Sequence, residues 1–343
     1  MILRKRTPFF AGLLACALLS GCHSEKEAGT GTTGGTTSAQ GTTGGGTTGG
    51  GAGTTQLAFV TNNPSDYWVI CHKGCDAAAK DLGVSVQFVM PADGSAAAQK
   101  QDVDDLLAKG VKGIAISPVD PANETPYLNT VAAKTQLITS DSDAAKSDRL
   151  CYIGTDNHAA GVMAGGLIKE ALPQGGKIML FVGKKDAQNA HDREMGIRDA
   201  IKGTQIQILD VRTDNADHAV AKQNAADALT STPDLAGMVG LWSYNGPAIA
   251  DAVQKAGKVG KVKVVCFDAD PGTPEGIKSG TIYGTVVQDP YTFGYNSIKL
   301  LTQLSKGDKS AIPANKLMIV PNEAIKSGNL DAYLAEQKKK MGA

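Results

Sequence analysis

The chain has 343 residues, a length that accommodates two α/β lobes with separate hydrophobic cores. Its 34 acidic residues balance 34 basic ones, so the net charge is close to zero. This balance argues against a nucleic-acid partner, which would require a basic face. It also gives no sign of a strongly anionic ligand.

The first residues have the composition of an export signal rather than of a folded element. Three basic residues at 4–6 precede an apolar stretch at 9–19 that is too short for a comfortable membrane span. The Leu-Ser-Gly-Cys sequence at 19–22 resembles the bacterial lipobox. That resemblance implies a signal peptide at 1–21 and a diacylglycerol on the thiol of Cys22, which would anchor the protein on a membrane. The alternative is an ordinary signal peptide with an incidental cysteine.

Segment 29–55 consists almost entirely of Gly and Thr. Such a composition cannot bury a core. We therefore expect a flexible tether over 22–55 and a folded part that starts near Gln56.

Strands and helices alternate from Gln56 onwards in two successive runs. Apolar runs bounded by turn residues predict strands, and amphipathic stretches that stop at glycines such as Gly83 and Gly110 predict helices. The first run comprises strands at 57–61, 84–90, 111–117, 136–140 and 150–153 and helices at 67–82, 96–109 and 121–134. The second run comprises helices at 159–172, 190–201, 217–230, 247–256, 273–278 and 291–304 and strands at 177–182, 206–211, 236–240, 262–267, 282–287 and 317–320.

Repeated strand–helix units predict parallel sheets with helices on both faces. Two such runs predict an α/β fold of two doubly wound parallel-sheet lobes. Ligands in such sheets bind beyond the carboxyl ends of the strands. The residues that follow the strands are therefore the candidate site residues.

These residues are polar or aromatic. They are Asn62, Asn63, Tyr67, Trp68, Asp141, Asn189, Arg193, Trp242, Tyr244, Asn245, Asp268 and Gln288. Carboxylates, amides and a guanidinium suit sugar hydroxyls, which both donate and accept hydrogen bonds, and aromatic rings pack against the apolar faces of a pyranose. Because only Arg193 opposes Asp141 and Asp268, the site is not cationic, and a phosphate ester is disfavoured.

Each of these residues also has a purely structural interpretation. Asp141 or Asp268 could cap the helix that follows it. The aromatic pair at 67–68 could belong to the core, Arg193 could be a solvated helix residue, and Asn63 could only form a turn. Their joint placement after strands favours a ligand site.

Four cysteines remain outside the signal and the lipidation position. They are Cys71, Cys75, Cys151 and Cys266. Cys71 and Cys75 are four residues apart on a predicted helix, where disulfide geometry is awkward. A metal site from this pair and His72 is an alternative that no second ligand pair supports. We expect buried, unpaired cysteines, no metal site and no cofactor.

Seven segments match a known family in their order and spacing. They are Phe-Val-Thr-Asn-Asn-Pro at 59–64 with Tyr-Trp at 67–68, Ile-Thr-Ser-Asp at 138–141, Ile-Gly-Thr-Asp-Asn at 153–157, Arg-Glu-Met-Gly at 193–196, Tyr-Asn-Gly-Pro-Ala at 244–248, Val-Cys-Phe-Asp at 265–268 and Thr-Val-Val-Gln at 285–288. The chain thereby resembles the periplasmic ribose- and glucose-binding proteins, which have the type I solute-binding fold, over about 56–340. Segments 244–248 and 257–268 most resemble glucose-binding members from thermophilic bacteria.

The resemblance implies three chain crossings between the lobes and a hinge closure around the ligand. The N-terminal lobe would comprise 56–157 and 289–318, and the C-terminal lobe 158–288 and 319–343. Asn62, Asn63, Tyr67 and Trp68 would line the N-terminal side of the cleft.

The resemblance also implies roles for the remaining residues. Asp141 would accept hydrogen bonds from sugar hydroxyls and Arg193 would donate them, while Asn245, Asp268 and Gln288 would complete the C-terminal side. The protein would be a monomer that hands a monosaccharide to an ABC transporter permease on the periplasmic or cell-surface side of a membrane.

Two departures from the family pattern affect the choice of sugar. Ser142 stands where ribose binders commonly carry Arg, which removes a donor and disfavours ribose. Asp-Asn-Ala-Asp at 214–217 stands where ribose binders place a Phe, which predicts a more polar or roomier pocket with Trp242 or Tyr244 supplying the ring. We expect a glucose-like aldohexose.

The sequence also bears on three other classes of protein. An enzyme is disfavoured because the sequence has no GxGxxG after the first strand, no GxxxxGK[ST] and no GxSxG. A transcription regulator of the same fold would need a helix-turn-helix before the first strand, where this chain has the signal and the tether. A sensory binding protein for a sugar or another small signal molecule stays open as the alternative to transport.

Overall fold

A computed structural model describes residues 54–342. The predicted signal peptide, the lipidation position Cys22 and all but the last two residues of the predicted tether lie outside this range. Within it, strands and helices alternate as the sequence predicts.

Two lobes are built on two sheets of six strands each. The first lobe contains β1 (Gln56–Val60), α1 (Asp66–Leu82), β2 (Ser85–Val89), α2 (Ala96–Ala108), β3 (Gly113–Ile116), α3 (Pro121–Ala132), β4 (Gln136–Ser140), β5 (Tyr152–Gly154), α9 (Pro290–Ser305) and β11 (Leu317–Ile319). The second lobe contains α4 (Asn157–Ala171), β6 (Gly176–Val182), α5 (Gln188–Ile201), β7 (Ile206–Thr213), α6 (His218–Ser231), β8 (Leu235–Gly240), α7 (Asn245–Lys255), β9 (Lys263–Phe267), α8 (Thr273–Lys278), β10 (Gly284–Val287), β12 (Glu323–Ile325) and α10 (Leu330–Lys340).

The two sheets repeat one strand order. The first runs β11-β5-β4-β3-β1-β2 and the second β12-β10-β9-β8-β6-β7, so corresponding strands occupy corresponding places. All pairings are parallel except that of β12 with β10, which is antiparallel. The sequence predicted neither β12 nor α10.

Each sheet is covered on both faces, as parallel sheets require. Alternate residues of β1 face opposite layers. Leu57 and Phe59 pack with apolar residues of α1 and α9, whereas Ala58 and Val60 pack with those of α2 and α3. Because the paired strands run parallel, their carboxyl ends lie at the same edge of each sheet. At that edge the chain leaves each strand toward the next helix.

The chain passes between the sheets three times: from β5 into α4, from β10 into α9, and between β11 and β12. Helix α4 begins at Asn157, and β11 includes Ile319. Each of these two residues therefore lies one position across the lobe boundary that the sequence suggested.

Within 54–342 no helix is long and apolar enough to cross a membrane. The four cysteines of this region are buried and unpaired. No group of three His, Cys, Asp or Glu side chains among these residues could hold a metal ion.

Candidate functional site

A cavity of about 290 Å³ lies between the two lobes, at the carboxyl ends of strands from both sheets. Its lining residues are Asn62, Asn63, Ser65, Tyr67, Trp68, Asp141, Asn189, Arg193, Trp242, Ser243, Tyr244, Asp268 and Gln288. The structure thus brings together all of the sequence-predicted residues except Asn245. Ser65 and Ser243 were missed, although Ser65 directly precedes the helix that carries Tyr67 and Trp68, and Ser243 lies between Trp242 and Tyr244.

Asp141 follows β4 and links the two lobes. Its Oδ1 accepts a hydrogen bond from the Tyr67 hydroxyl at 3.2 Å. Its Oδ2 accepts from Ser117 Oγ at 2.9 Å and from Asn189 Nδ2 at 3.0 Å. Because Asn189 belongs to α5 of the second lobe, the last bond crosses the cleft. Burial raises the pKa of Asp141, and the nearby guanidinium of Arg193 opposes that rise.

Asp268 occupies the corresponding place in the second lobe, directly after β9. Among the described residues its carboxylate accepts hydrogen bonds from Gln288 alone, through the backbone N at 3.2 Å and through Nε2 at 3.2 and 3.3 Å. Burial raises the pKa of Asp268 to about 6. Neither Asp141 nor Asp268 caps a helix: α8, the helix after β9, begins at Thr273, and the N-cap residue of α4 is Asp156.

Arg193 is 1% exposed and is therefore not a solvated helix residue. Its Nε donates to Asn157 Oδ1 at 3.0 Å, and its Nη1 donates to the carbonyl oxygen of Leu241 at 2.7 Å. The guanidinium carbon lies 4.4 Å from the centre of the Phe267 ring. These contacts fix the guanidinium at the cavity wall.

Three buried polar atoms of residues in the wall have no hydrogen-bond partner within 54–342: Asn63 Oδ1, Arg193 Nη2 and Gln288 Oε1. A buried polar atom without a partner costs about 1–3 kcal/mol. Two acceptors and one donor in one cavity match a ligand that can both donate and accept.

Each lobe supplies one aromatic pair. Tyr67 and Trp68 meet edge to face with ring centres 4.9 Å apart, and Trp242 and Tyr244 meet similarly at 6.3 Å. Trp68 also packs against Phe59, so it belongs both to the core and to the cavity wall. The four rings give the cavity apolar surface on both sides.

Asn245 does not line the cavity. It is the first residue of α7, and its amide turns away from the cleft: Nδ2 donates to Asp214 Oδ2 at 2.9 Å, and Oδ1 accepts from the backbone N of Trp242 at 3.1 Å. The sequence predicted that α7 begins two residues later, and it did not indicate that the Asn245 side chain points away from the cleft.

Comparison with known proteins identifies the family. A family model for the periplasmic binding protein domain matches residues 57–309. The D-allose-binding periplasmic protein of Escherichia coli K12 is 29% identical over 266 residues, covering 74% of this chain and 85% of that protein. The ribose import binding protein of Salmonella typhimurium is 27% identical over 251 residues, covering 72% and 83%.

Solved structures agree. An ABC transporter solute-binding protein from Burkholderia graminis, in complex with D-arabinose, superposes with a TM-score of 0.77 at 29% identity and covers 81% of this chain and 97% of its own. A glucose-galactose binding protein from Geobacillus stearothermophilus superposes with a TM-score of 0.76 at 27% identity and covers 81% and 99%.

The chain belongs to the periplasmic binding protein domain family. The predicted resemblance and the predicted fold of two doubly wound lobes are confirmed. The relatives are substrate-binding proteins, which also confirms that the chain is not an enzyme.

Proposed function

We propose that this protein captures a small neutral sugar outside the cytoplasmic membrane and delivers it to an ABC transporter permease, with a glucose-like aldohexose as the first choice of ligand. One observation carries the proposal: an interlobe cavity in which one unpaired donor and two unpaired acceptors of the described residues adjoin four aromatic rings. Relatives named for D-allose, ribose and glucose-galactose binding, and one solved with D-arabinose, support the ligand class.

The small size of the cavity favours a monosaccharide. The space between its lining residues, including the opening to solvent, is about 290 Å³. A longer saccharide would need a cleft that opens further along one side.

Both aspartates keep capacity to accept a hydrogen bond from a ligand. Asp141 accepts hydrogen bonds from three side chains, and Asp268 accepts three contacts from Gln288. A carboxylate offers about four acceptor positions, so each aspartate can accept about one further hydrogen bond from a sugar hydroxyl. Asp141 also joins the lobes through Asn189.

Closure of the lobes follows from the same contacts. Asn62, Tyr67 and Asp141 come from the first lobe, and Arg193 and Asp268 from the second. A ligand bonded to both sets binds the closed arrangement more strongly than an open one, so it shifts the population toward closure. The Asn189–Asp141 hydrogen bond adds a direct link between the lobes.

The sequence at the N-terminus sets the proposed location. Lipidation at Cys22 would anchor the mature chain on a membrane, and the Gly/Thr segment would let the binding domain reach a permease on the periplasmic or cell-surface side. A ligand bound between the two lobes of a single chain needs no residue from a second chain. This supports the proposal that the protein acts as a monomer.

A thermal-shift screen of the chain without residues 1–22 against monosaccharides tests the proposal, because a ligand that binds only the native state raises Tm. We expect a rise with one or a few neutral aldoses that Asp268→Asn abolishes. Asp210→Asn is the matched control, since Asp210 is an exposed residue of β7 that does not line the cavity. A rise with amino acids or nucleosides, and with no sugar, would refute the ligand class.

A further inference from the structure

Two of the four cavity rings lie in the loop between β8 and α7. This loop spans 241–244 and carries Trp242 and Tyr244. Neither residue belongs to a helix or strand. The orientation of both rings therefore depends on contacts made by the loop itself.

Asp214 contacts both Tyr244 of this loop and Asn245, the first residue of α7. It is the first residue after β7, is 2% exposed, and lies outside the cavity lining. Its Oδ1 accepts from the Tyr244 hydroxyl at 2.5 Å and from the backbone N of Ala216 at 2.9 Å. Its Oδ2 accepts from Asn245 Nδ2 at 2.9 Å. Hydrogen bonds to an ionised carboxylate are stronger than those between neutral groups.

The hydrogen bonds continue from Asp214 across the cleft. Asn245 Oδ1 accepts from the backbone N of Trp242, whose indole Nε1 donates to Asn189 Oδ1 at 3.3 Å. Asn189 Nδ2 then donates to Asp141 Oδ2 in the other lobe. A continuous path thus joins Asp214, behind the cavity wall, to Asp141.

Packing holds the two rings from the remaining sides. A Cβ at Gly183 would lie only 2.1 Å from the Trp242 ring, so the glycine admits the indole. The His218 ring stacks on Tyr244 with centres 4.4 Å apart and planes 16° from parallel. The apolar contacts define the space for the rings, and Asp214 fixes the loop that places them there.

We infer that Asp214 is a positioning residue for the ligand: it anchors the Trp242–Tyr244 wall against which the sugar packs, without contacting the sugar. The inference rests on the proposed function of the cavity. Segment 214–217 predicted a more polar or roomier pocket, but Asp214 instead turns its carboxylate to the back of Tyr244.

Affinity measurements on three variants and a control test this inference. Asp214→Ala removes the acceptor of three hydrogen bonds, and we expect it to weaken binding of the sugar that raises wild-type Tm by at least about tenfold. Asp214→Asn converts one acceptor oxygen to a donor and should give an intermediate loss. Tyr244→Phe keeps the ring and loses one bond, so its loss should be smallest. Asp210→Asn, four residues earlier and within β7, should bind as the wild type does.

A readout without sugar separates this inference from the proposed function. The chain has two tryptophans, so in a Trp68→Phe background Trp242 is the sole indole emitter. Asp214→Ala should make Trp242 of the unliganded protein more accessible to acrylamide quenching, and Asp210→Asn should not. If the wild type binds no sugar, the proposed function fails, and the quenching result alone decides whether Asp214 positions Trp242.

Two results would overturn the inference. One is a folded Asp214→Ala with the affinity and the Trp242 quenching of Asp210→Asn. The other, should Asp214→Ala fail to fold, is an Asp214→Asn that folds with wild-type affinity and quenching. A purely structural role would lower Tm and leave both readouts of the folded protein unchanged.

Discussion

Asp141 and Asp268 adopt the same uncommon backbone at equivalent places in the two lobes. Their φ angles are 64° and 63°, in the left-handed region that residues other than glycine seldom occupy. Such a conformation costs about 1 kcal/mol or more, and it is found preferentially at functional sites. Here it turns the side chain that follows a strand into the cleft between the lobes.

Replacement of Asp268 by Gly should separate stability from binding. Asp268→Gly relieves the left-handed strain and removes a buried carboxylate, at the loss of the hydrogen bonds from Gln288. We expect the unliganded variant to be as stable as the wild type or up to about 1 kcal/mol more stable, and to have lost sugar affinity. Chemical denaturation and titration calorimetry measure the two effects.

Ala269→Gly is the matched control, because Ala269 is the next residue and has no positive φ. The free energy of unfolding of Ala269→Gly should be lower than that of the wild type by about 0.5–1 kcal/mol, because glycine gains backbone entropy in the unfolded chain. A larger loss of stability in Asp268→Gly than in Ala269→Gly would contradict the strain interpretation.

Buried carboxyl groups predict the pH dependence of the unliganded protein. Burial raises the pKa of Asp268 to about 6, and burial together with the charge of Asp268 raises the pKa of Asp270 to about 7. An unfolded Asp titrates near ~3.9. The contribution of these groups to stability is therefore fully present below pH ~4 and is lost as pH rises through about 6 and then about 7.

The double variant Asp268→Asn/Asp270→Asn removes both titrations. Its free energy of unfolding, relative to the wild type, should rise by a few kcal/mol between pH ~4 and ~8. Urea denaturation across this range measures the difference. Parallel pH profiles for the two proteins would show that neither carboxyl is perturbed in the native state.

At the scale of elements, close helix packing fixes the site in both lobes. Gly161 of α4 packs on α5, and a Cβ there would lie 2.3 Å from the carbonyl oxygen of Arg193. Gly74 of α1 has the same relation to α9, where a Cβ would lie 2.0 Å from the carbonyl oxygen of Tyr291. Contact at these glycines sets the position of the helices that carry the site residues.

Gly161→Ala should therefore weaken binding as well as folding. Separation of α4 from α5 moves Arg193 and Asn189, and overpacking of this kind costs about 1–3 kcal/mol. Gly166→Ala is the control on the same helix, because a Cβ there meets nothing within 4 Å; it should stabilise by about 0.5–1 kcal/mol. Chemical denaturation of both variants measures the change in the free energy of unfolding, and sugar titration measures the change in affinity. Equal affinities for the two would contradict the proposed coupling.

The sequence predicted most elements because apolar runs, helical spacing and glycine stops mark them strongly. It missed β12, since a three-residue strand has too few positions for a pattern. It missed α10 because that helix buries Leu330 alone and ends in a run of lysines. The direction of Asn245 could not be predicted either, because the contact with Asp214 joins residues 31 positions apart.

At the scale of the whole molecule, the proposed lipid on Cys22 should hold the protein on a membrane. No helix within 54–342 could span a membrane, and the lipobox-like sequence ends at Cys22. Cys22→Ser should move the protein from the membrane fraction to the soluble extracytoplasmic fraction, with unchanged sugar affinity. Cys71→Ser, at a buried cysteine of α1, is the control and should stay on the membrane. An unmodified Cys22 thiol in wild-type protein from the membrane fraction, detected by mass spectrometry of the N-terminal peptide, would refute the lipid anchor.

The central claim is that a neutral sugar binds in the interlobe cavity, and tryptophan emission tests it most directly. The only two tryptophans of the chain, Trp68 and Trp242, line this cavity from opposite lobes. A sugar that raises Tm should change the emission in a saturable titration, and the change should persist in part in both Trp68→Phe and Trp242→Phe. A sugar that raises Tm and leaves the emission of both tryptophans unchanged would bind elsewhere and contradict the account.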